Sequence, residues 1–202
     1  MTLKNWMLSA FVFWFCGVSG QAQTSWIGGG TDWFAANNWT AGVPTATLDA
    51  IIGDANFTGT NQPTLAGSTA VTCQSLTIGG VAAATLNVKY TLTVASNLTI
   101  AANGTLIHNT TKSITVKGSW SNSGIYSPTN NSSKIIFAGG ASQTLGGAAV
   151  TTFRTLTINS GSTTLLAANV IVNTLLTVTA APPSVWLAPP AKMILEELFV
   201  GE

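Results

Sequence analysis

Residues 85–100 read TLNVKYTLTVASNLTI, and this stretch decides the fold. Polar and apolar residues alternate in three short segments, 85–88, 91–94 and 97–100, and two residues separate each segment from the next. Alternation with a period of two is typical of a strand with one buried face, and Thr, Val and Ile suit a pleated surface. The stretch therefore predicts three short strands joined by tight turns.

The same pattern recurs at a nearly constant spacing. Leu76 and Leu98 are 22 residues apart, Leu86 and Leu106 are 20 apart, and Leu92 and Ile114 are 22 apart. A repeat of about twenty residues that carries three strands is typical of a parallel β-helix, in which each coil packs on its neighbours. We predict an all-β protein with about five coils over residues 70–180; a β-sandwich is the alternative, although its strands recur every 8–12 residues.

The composition agrees with a solenoid whose surface is polar but uncharged. Charged residues make up 6% of the 202 residues, against about 25% in an average globular domain. Hydrophobic residues make up 46% and the formal net charge is +1. These values argue against a disordered charged tail, a helical bundle and a nucleic-acid partner held by phosphate contacts. In a β-helix, alternate Thr and Asn residues face the solvent.

Residues 1–22 have the pattern of a secretory signal peptide. Lys4 precedes an apolar run over 6–18, and Gly20-Gln21-Ala22 offers a cleavage site after Ala22. The run is shorter than the ~20 apolar residues that span a bilayer, so we predict a secreted or cell-surface protein without a transmembrane segment after signal removal. Cys73 would then be the remaining cysteine, and its alternating context predicts that it faces inward.

An N-terminal cap with the first strands is predicted over residues 23–69. Residues 26–39, WIGGGTDWFAANNW, contain three tryptophans that can cover an open coil end. Together with WSNSG at 120–124, IIFAG at 135–139 and FRTLTI at 153–158, this segment resembles repetitive β-helix surface proteins that Bacteroidetes-type bacteria export, often by type IX secretion. The resemblance implies a right-handed parallel β-helix with a Trp-rich cap, an adhesin-like role and no catalytic residues.

The C-terminal part departs from the repeat. The pattern stops near Thr179, a Pro-rich stretch follows over 181–190, and residues 191–199 are predicted to form a short helix. Residues 181–202 are therefore an atypical tail. It is either a C-terminal cap or the product of truncation or a change of reading frame.

The chain offers little catalytic chemistry. No carboxylate occurs in the 141 residues between Asp54 and Glu196, whereas glycoside hydrolysis uses paired carboxyl groups and calcium sites use clustered oxygen ligands. His108 is the only histidine, so a His-based metal site lacks a second imidazole. We predict no enzyme activity, no cofactor and no metal. The coil residues Lys89, Lys112, Lys117, Lys134 and Arg154 either keep the protein soluble or form a weakly basic face for anionic glycans.

The leading hypothesis is a non-enzymatic, adhesin-like surface module with a glycan or protein partner. A carbohydrate-binding module is the alternative, with Trp33, Trp39 and Trp120 as candidate glycan contacts. Ice binding through threonine ladders such as Thr91-x-Thr93 and Thr155-x-Thr157 is a third hypothesis. A degraded polysaccharide lyase or hydrolase fold is a fourth. Unpaired strands at the ends of a solenoid also predict end-to-end self-association.

Overall fold

The structure is a computed structural model, and it describes residues 22–140, 142–159, 163–166, 170–178, 184–187 and 193–195. The predicted signal peptide lies outside this set except for Ala22. Within the described ranges, no helix has the length and apolar character needed to cross a membrane.

The described residues contain 19 strands, which pair in parallel in three sheets. Sheet 1 consists, in hydrogen-bonded order, of β1 (Gln23–Ser25), β2 (Asp49–Ile52), β5 (Leu76–Ile78), β8 (Leu98–Ile100), β11 (Trp120–Asn122), β14 (Ser142–Gly146), β16 (Thr163–Leu166) and β18 (Ser184–Leu187). Sheet 2 consists of β4 (Val71–Cys73), β7 (Leu92–Val94), β10 (Ser113–Val116), β13 (Lys134–Phe137), β15 (Thr151–Ile158), β17 (Val170–Val178) and β19 (Met193–Leu195). Sheet 3 consists of β3 (Thr64–Leu65), β6 (Ala84–Val88), β9 (Gly104–His108) and β12 (Ile125–Pro128). One 3-10 turn, Ala36–Asn38, lies in the cap.

Up to β13 each coil passes through sheet 1, sheet 3 and sheet 2 in turn, and from β14 onward each coil passes from sheet 1 to sheet 2. The part from β5 to β17 contains five coils, so the predicted β-helix of about five coils is confirmed. The solenoid begins earlier than residue 70, because β2, β3 and β4 pair with β5, β6 and β7.

The predicted inward residues stack in register from coil to coil. In sheet 1, Leu76 pairs with Leu98, and Leu98 pairs with Trp120. Neighbouring strands in a sheet lie ~4.8 Å apart, so each inward side chain packs directly on its equivalents. These side chains form one continuous buried cluster that extends from Trp26 to Leu176.

The later coils carry two strands instead of the predicted three. Sheet 3 ends at β12, whereas β15 and β17 lengthen to 8 and 9 residues. The pairing of β15 with β17 shifts register between Phe153 and Thr155. An irregularity of this kind bends a strand, so one bent strand here takes the place of two strands and the turn between them.

Polar side chains in the turns connect successive coils. Asn103 accepts a hydrogen bond from the Gly80 N–H (2.6 Å) and donates one to the Gly80 carbonyl (3.0 Å). Asn97 Oδ1 accepts one from the Ser119 N–H (2.8 Å). Gly79 adopts φ +86°, and a Cβ there would lie 2.6 Å from Gly104 N. The turn therefore needs glycine both for its left-handed backbone and for the closeness of the next coil.

The predicted helix in the tail is wrong where it is described. Met193–Leu195 is a strand that pairs with β17, and Ser184–Leu187 is a strand that pairs with β16. Met, Ile and Leu fit either state, and the available edge of β17 favours the strand over the intrinsic helix propensity of the segment. The β-helix therefore continues past Thr179, and the rest of the predicted helix lies outside the described residues.

Candidate functional site

The three tryptophans of the cap are buried at the N-terminal end of the solenoid. Trp26, Trp33 and Trp39 are 0%, 0% and 4% exposed. Trp39 forms edge-to-face contacts with both other rings, at centroid distances of 5.0 and 4.8 Å. Its Nε1 donates a hydrogen bond to the Trp33 carbonyl, and Trp26 Nε1 donates one to the Asn61 carbonyl. The predicted Trp-rich cap is therefore present.

The candidate glycan contacts are not exposed. Trp33 and Trp39 lie inside the cap, and Trp120 is 1% exposed, with its ring edge-to-face against Tyr126 and Phe153. Stacking on a sugar needs an open ring face. The expectation that these rings contact a glycan is thus corrected, because each large apolar ring is used to fill the core.

The three described carboxylates are bound to the fold itself. Asp32 Oδ1 accepts a hydrogen bond from the Phe34 N–H (2.9 Å), and Asp49 Oδ1 accepts one from the Ser75 N–H of the next coil (3.0 Å). Asp54 accepts one from Ser25 Oγ (2.6 Å). Asp49 and Asp54 therefore have structural roles.

Cys73 is fully buried on the inward side of β4, as predicted. Burial, with a smaller effect of the Asp49 charge, raises the pKa of its thiol from 9.0 to about 12. The thiolate is the nucleophilic form. The Cys73 side chain therefore acts as a small apolar core residue.

His108 is buried at the end of β9 and contacts the next coil, as expected for a structural histidine. Its Nε2 lies 3.0 Å from the Lys112 carbonyl, and its Nδ1 lies 3.0 Å from the Tyr126 hydroxyl. A carbonyl oxygen accepts only, so Nε2 carries the proton and Nδ1 accepts from Tyr126. Burial lowers the pKa of His108 from 6.5 to about 4, although the bond to Lys112 opposes the shift.

The outward side of sheet 2 presents a column of hydroxyl groups. Thr72 pairs with Thr93, Thr93 with Thr115, and Thr157 with Thr177. Ile136 of β13 stands between Thr115 and Thr157. All six side chains are half-buried, which is typical of neighbours on the outside of a sheet. We call these six outward residues the hydroxyl column: Thr72, Thr93, Thr115, Ile136, Thr157 and Thr177.

Four of the five cationic residues of the described chain lie on or beside sheet 2, and the fifth, Lys89, lies where sheet 3 leads into sheet 2. Lys112 directly precedes β10, Lys117 directly follows it, and Lys134 is the first residue of β13. Lys89 lies in the turn before β7, and Arg154 lies at the register shift of β15. The four lysines are exposed and Arg154 is half-buried. We call these residues the cation border.

The spacing of these cations along the sequence contains a signal. Lys89, Lys112, Lys134 and Arg154 are 23, 22 and 20 residues apart, which matches the length of one coil. They therefore recur once per coil, near the corner where sheet 3 leads into sheet 2. Within the described residues, no three His, Cys, Asp or Glu side chains form a group that could hold a metal ion.

Comparison with known proteins gives a family without an assigned activity. A family model described as a domain of unknown function, DUF8693, matches residues 25–166. No curated protein and no solved structure matches the chain. The matched residues include the Trp cap and the coils up to β16. Because the match covers more than half of the chain, this protein belongs to the DUF8693 family.

Proposed function

We propose that the chain is a non-enzymatic β-helix module that is exported and displayed at a cell surface, where it has an adhesin-like role. The observation that carries the proposal is how the protein uses its reactive side chains. Each described Asp, Cys and His bonds to the backbone or lies in the core. The outward positions of sheet 2 mainly repeat hydroxyl groups. Because the reactive side chains serve the fold and the outward positions repeat hydroxyl groups, this arrangement supports a binding role over a catalytic one.

Export is part of this proposal. The pattern of residues 1–22 supports cleavage after Ala22, and the resemblance to type IX-associated surface proteins supports a location outside the cell. Sugar stacking on Trp33, Trp39 and Trp120 has no support from this geometry, because all three rings are buried.

The first test is to follow the full chain in an export-competent bacterium. We expect a mature protein that begins at Gln23 and is digested when protease is added to intact cells, or is found in the medium. N-terminal sequencing and fractionation measure these outcomes. The control is Trp14→Arg, which places a charge in the apolar run and should keep the chain in the cytosol. An uncleaved native chain in the cytosol would contradict the proposal, as would release of reducing ends from polysaccharides by the purified protein.

Ice binding is a second candidate, and one observation favours it. The threonines of the hydroxyl column align in consecutive strands, and repeated hydroxyls can order water. Three residues interrupt the regular array on the same face: Lys134, Ile136 and Leu175. A long charged side chain and two branched apolar ones make this face less regular than an ice-matching surface requires.

A further inference from the structure

We propose that the outer face of sheet 2, formed by the hydroxyl column and the cation border, binds an anionic polysaccharide that lies along the solenoid axis. This inference rests on the proposed function and adds to it a ligand class and a binding surface. It follows from three observations: where the charges lie, how they repeat and which groups stand between them.

The charges of the described chain are separated by position. Four of its five cations lie on or beside sheet 2, and Lys89 lies at the corner between sheets 3 and 2. Its three carboxylates lie nearer the N-terminal end: Asp49 is the first residue of β2, Asp54 follows that strand by two residues, and Asp32 lies in the cap beside Thr64 of sheet 3. The described residues from β6 onward therefore carry cations without carboxylates, which creates a positive potential that attracts anions.

The repeat of the cations favours a polymer over a small anion. Lys89, Lys112, Lys134 and Arg154 belong to four successive coils. Since strands repeat every ~4.8 Å, this row extends over roughly 15 Å along the axis. A small anion would contact one or two of these side chains. A linear polyanion would contact all four, and the linked contacts would reinforce one another.

The groups between the cations favour a saccharide. Thr93 and Thr115 offer hydroxyls that both donate and accept hydrogen bonds, as sugar hydroxyls do. The exposed lysines supply compact point charges for sulfate or carboxylate groups. Single-stranded nucleic acid would need aromatic rings on which bases stack, and the ring nearest to the cations, Tyr90, is half-buried with Lys112 Nζ 6.0 Å above it.

The test measures binding of the purified full chain to immobilised dextran sulfate, polygalacturonate and uncharged dextran. We expect binding to one or both anionic polymers and none to dextran. Which polymer binds distinguishes sulfate from carboxylate recognition. Raising the salt concentration from about 0.02 to about 0.3 M should weaken binding roughly tenfold, because exposed charges are screened.

Matched variants locate the surface. Lys112→Gln/Lys134→Gln should weaken binding about five- to twentyfold, since the loss of one exposed charge pair weakens binding by roughly two- to fivefold. The control Thr99→Glu/Thr105→Glu changes the net charge by the same amount on sheets 1 and 3, and it should weaken binding less. Circular dichroism and unfolding midpoints confirm that each variant is folded. An equal loss in both variants would overturn the assignment to sheet 2.

Two further outcomes would overturn the proposal in favour of other ligands. Equal affinity for an oligothymidine and for dextran sulfate would indicate an unspecific polyanion site. The face would be assigned to ice if the protein binds no polysaccharide but inhibits ice growth, and if Lys112→Gln/Lys134→Gln leaves that inhibition unchanged.

If a chain that is exported and accessible on cells binds none of the anionic polymers, this inference fails while the proposed surface role stands. If the chain is not exported, the surface role fails independently of its binding.

Discussion

The imidazole of His108 is fixed in one neutral form by two hydrogen bonds. Nε2 donates to the Lys112 carbonyl, and Nδ1 accepts from Tyr126. Tyr126 is itself buried, and burial raises its pKa, so its hydroxyl keeps the proton that it donates. Protonation of Nδ1 would charge a buried ring and would require the Tyr126 hydroxyl to turn and accept the hydrogen bond instead of donating it. The bonding therefore agrees with the lowered pKa of His108.

This residue predicts an acid-sensitive fold. Since the pKa is about 4 in the folded state and 6.5 in the reference state, the unfolded chain binds more protons between these values. The free energy of unfolding should be highest above pH 6.5 and should fall by about 3 kcal/mol as the pH is lowered to 4. Urea unfolding midpoints across this pH range measure the change.

Two variants separate the His108 contribution from that of the carboxylates. His108→Gln should lose most of the slope between pH 6.5 and 4, whereas Tyr126→Phe keeps the buried imidazole and should retain it. The slope that remains in His108→Gln reports the other groups. If His108→Gln unfolds with the same pH dependence as the native chain, His108 is not the source of the acid sensitivity.

At the level of elements, the turns contribute to the register of neighbouring coils. Asn103 bonds to both the N–H and the carbonyl of Gly80, so one side chain fixes a turn against the turn of the preceding coil. Asn103→Ala removes both bonds, and we expect it to lower the free energy of unfolding by about 1–3 kcal/mol. Denaturant unfolding at neutral pH measures this loss.

The matched control is Asn131→Ala. Asn131 is also an exposed turn asparagine, but no hydrogen bond of its side chain links two coils in the described structure. Its removal should change stability by less than about 0.5 kcal/mol. Equal losses in the two variants would mean that the side-chain bonds of Asn103 do not stabilise the turn.

The same elements show which parts of the fold can be read from sequence. The leucines at 76, 86, 92 and 98 predict strands, their inward faces and the coil length, because alternation and repeat spacing are local signals. The loss of sheet 3 after β12 is not predictable in this way, since Phe153-Arg154-Thr155 looks like ordinary alternation and its register shift depends on the neighbouring strand. Met193–Leu195 was missed for the same reason: its strand state depends on pairing with β17.

The candidate site was only partly predictable. The threonines were visible as a pattern, and the lysine spacing of about one coil was present in the sequence. The order in which the strands pair was needed to show that the threonines and most of the cations lie on the same sheet. The prediction that tryptophans contact a glycan was wrong because the sequence does not distinguish a ring that binds a sugar from a ring that is buried in the core.

Over the length of the molecule, a solenoid has contacts mainly between adjacent coils, so its ends influence how it unfolds. The cap protects the N-terminal end in two ways. Trp26, Trp33 and Trp39 cover the core, and the cap backbone pairs with β3 through Trp33 N–H to the Thr64 carbonyl (3.2 Å) and Thr64 N–H to the Thr31 carbonyl (2.7 Å). Without this cover, β1, β3 and β4, the terminal strands of the three sheets at this end, would become open edges.

We therefore predict that Trp39→Ala opens the N-terminal end. The substitution removes the ring that contacts both other tryptophans and the hydrogen bond to the Trp33 carbonyl. A buried Trp→Ala change costs about 3–5 kcal/mol, and this loss would fall on the cap first. Tryptophan fluorescence should then report an earlier unfolding transition than far-UV circular dichroism. Light scattering should detect association that increases with concentration, because an uncovered strand edge can pair with another copy.

Phe34→Ala is the control, since Phe34 belongs to the same cap but is 38% exposed. This variant should leave the two unfolding transitions coincident and the molecular mass unchanged. If Trp39→Ala remains a monomer with one transition, the cap does not control association at this end.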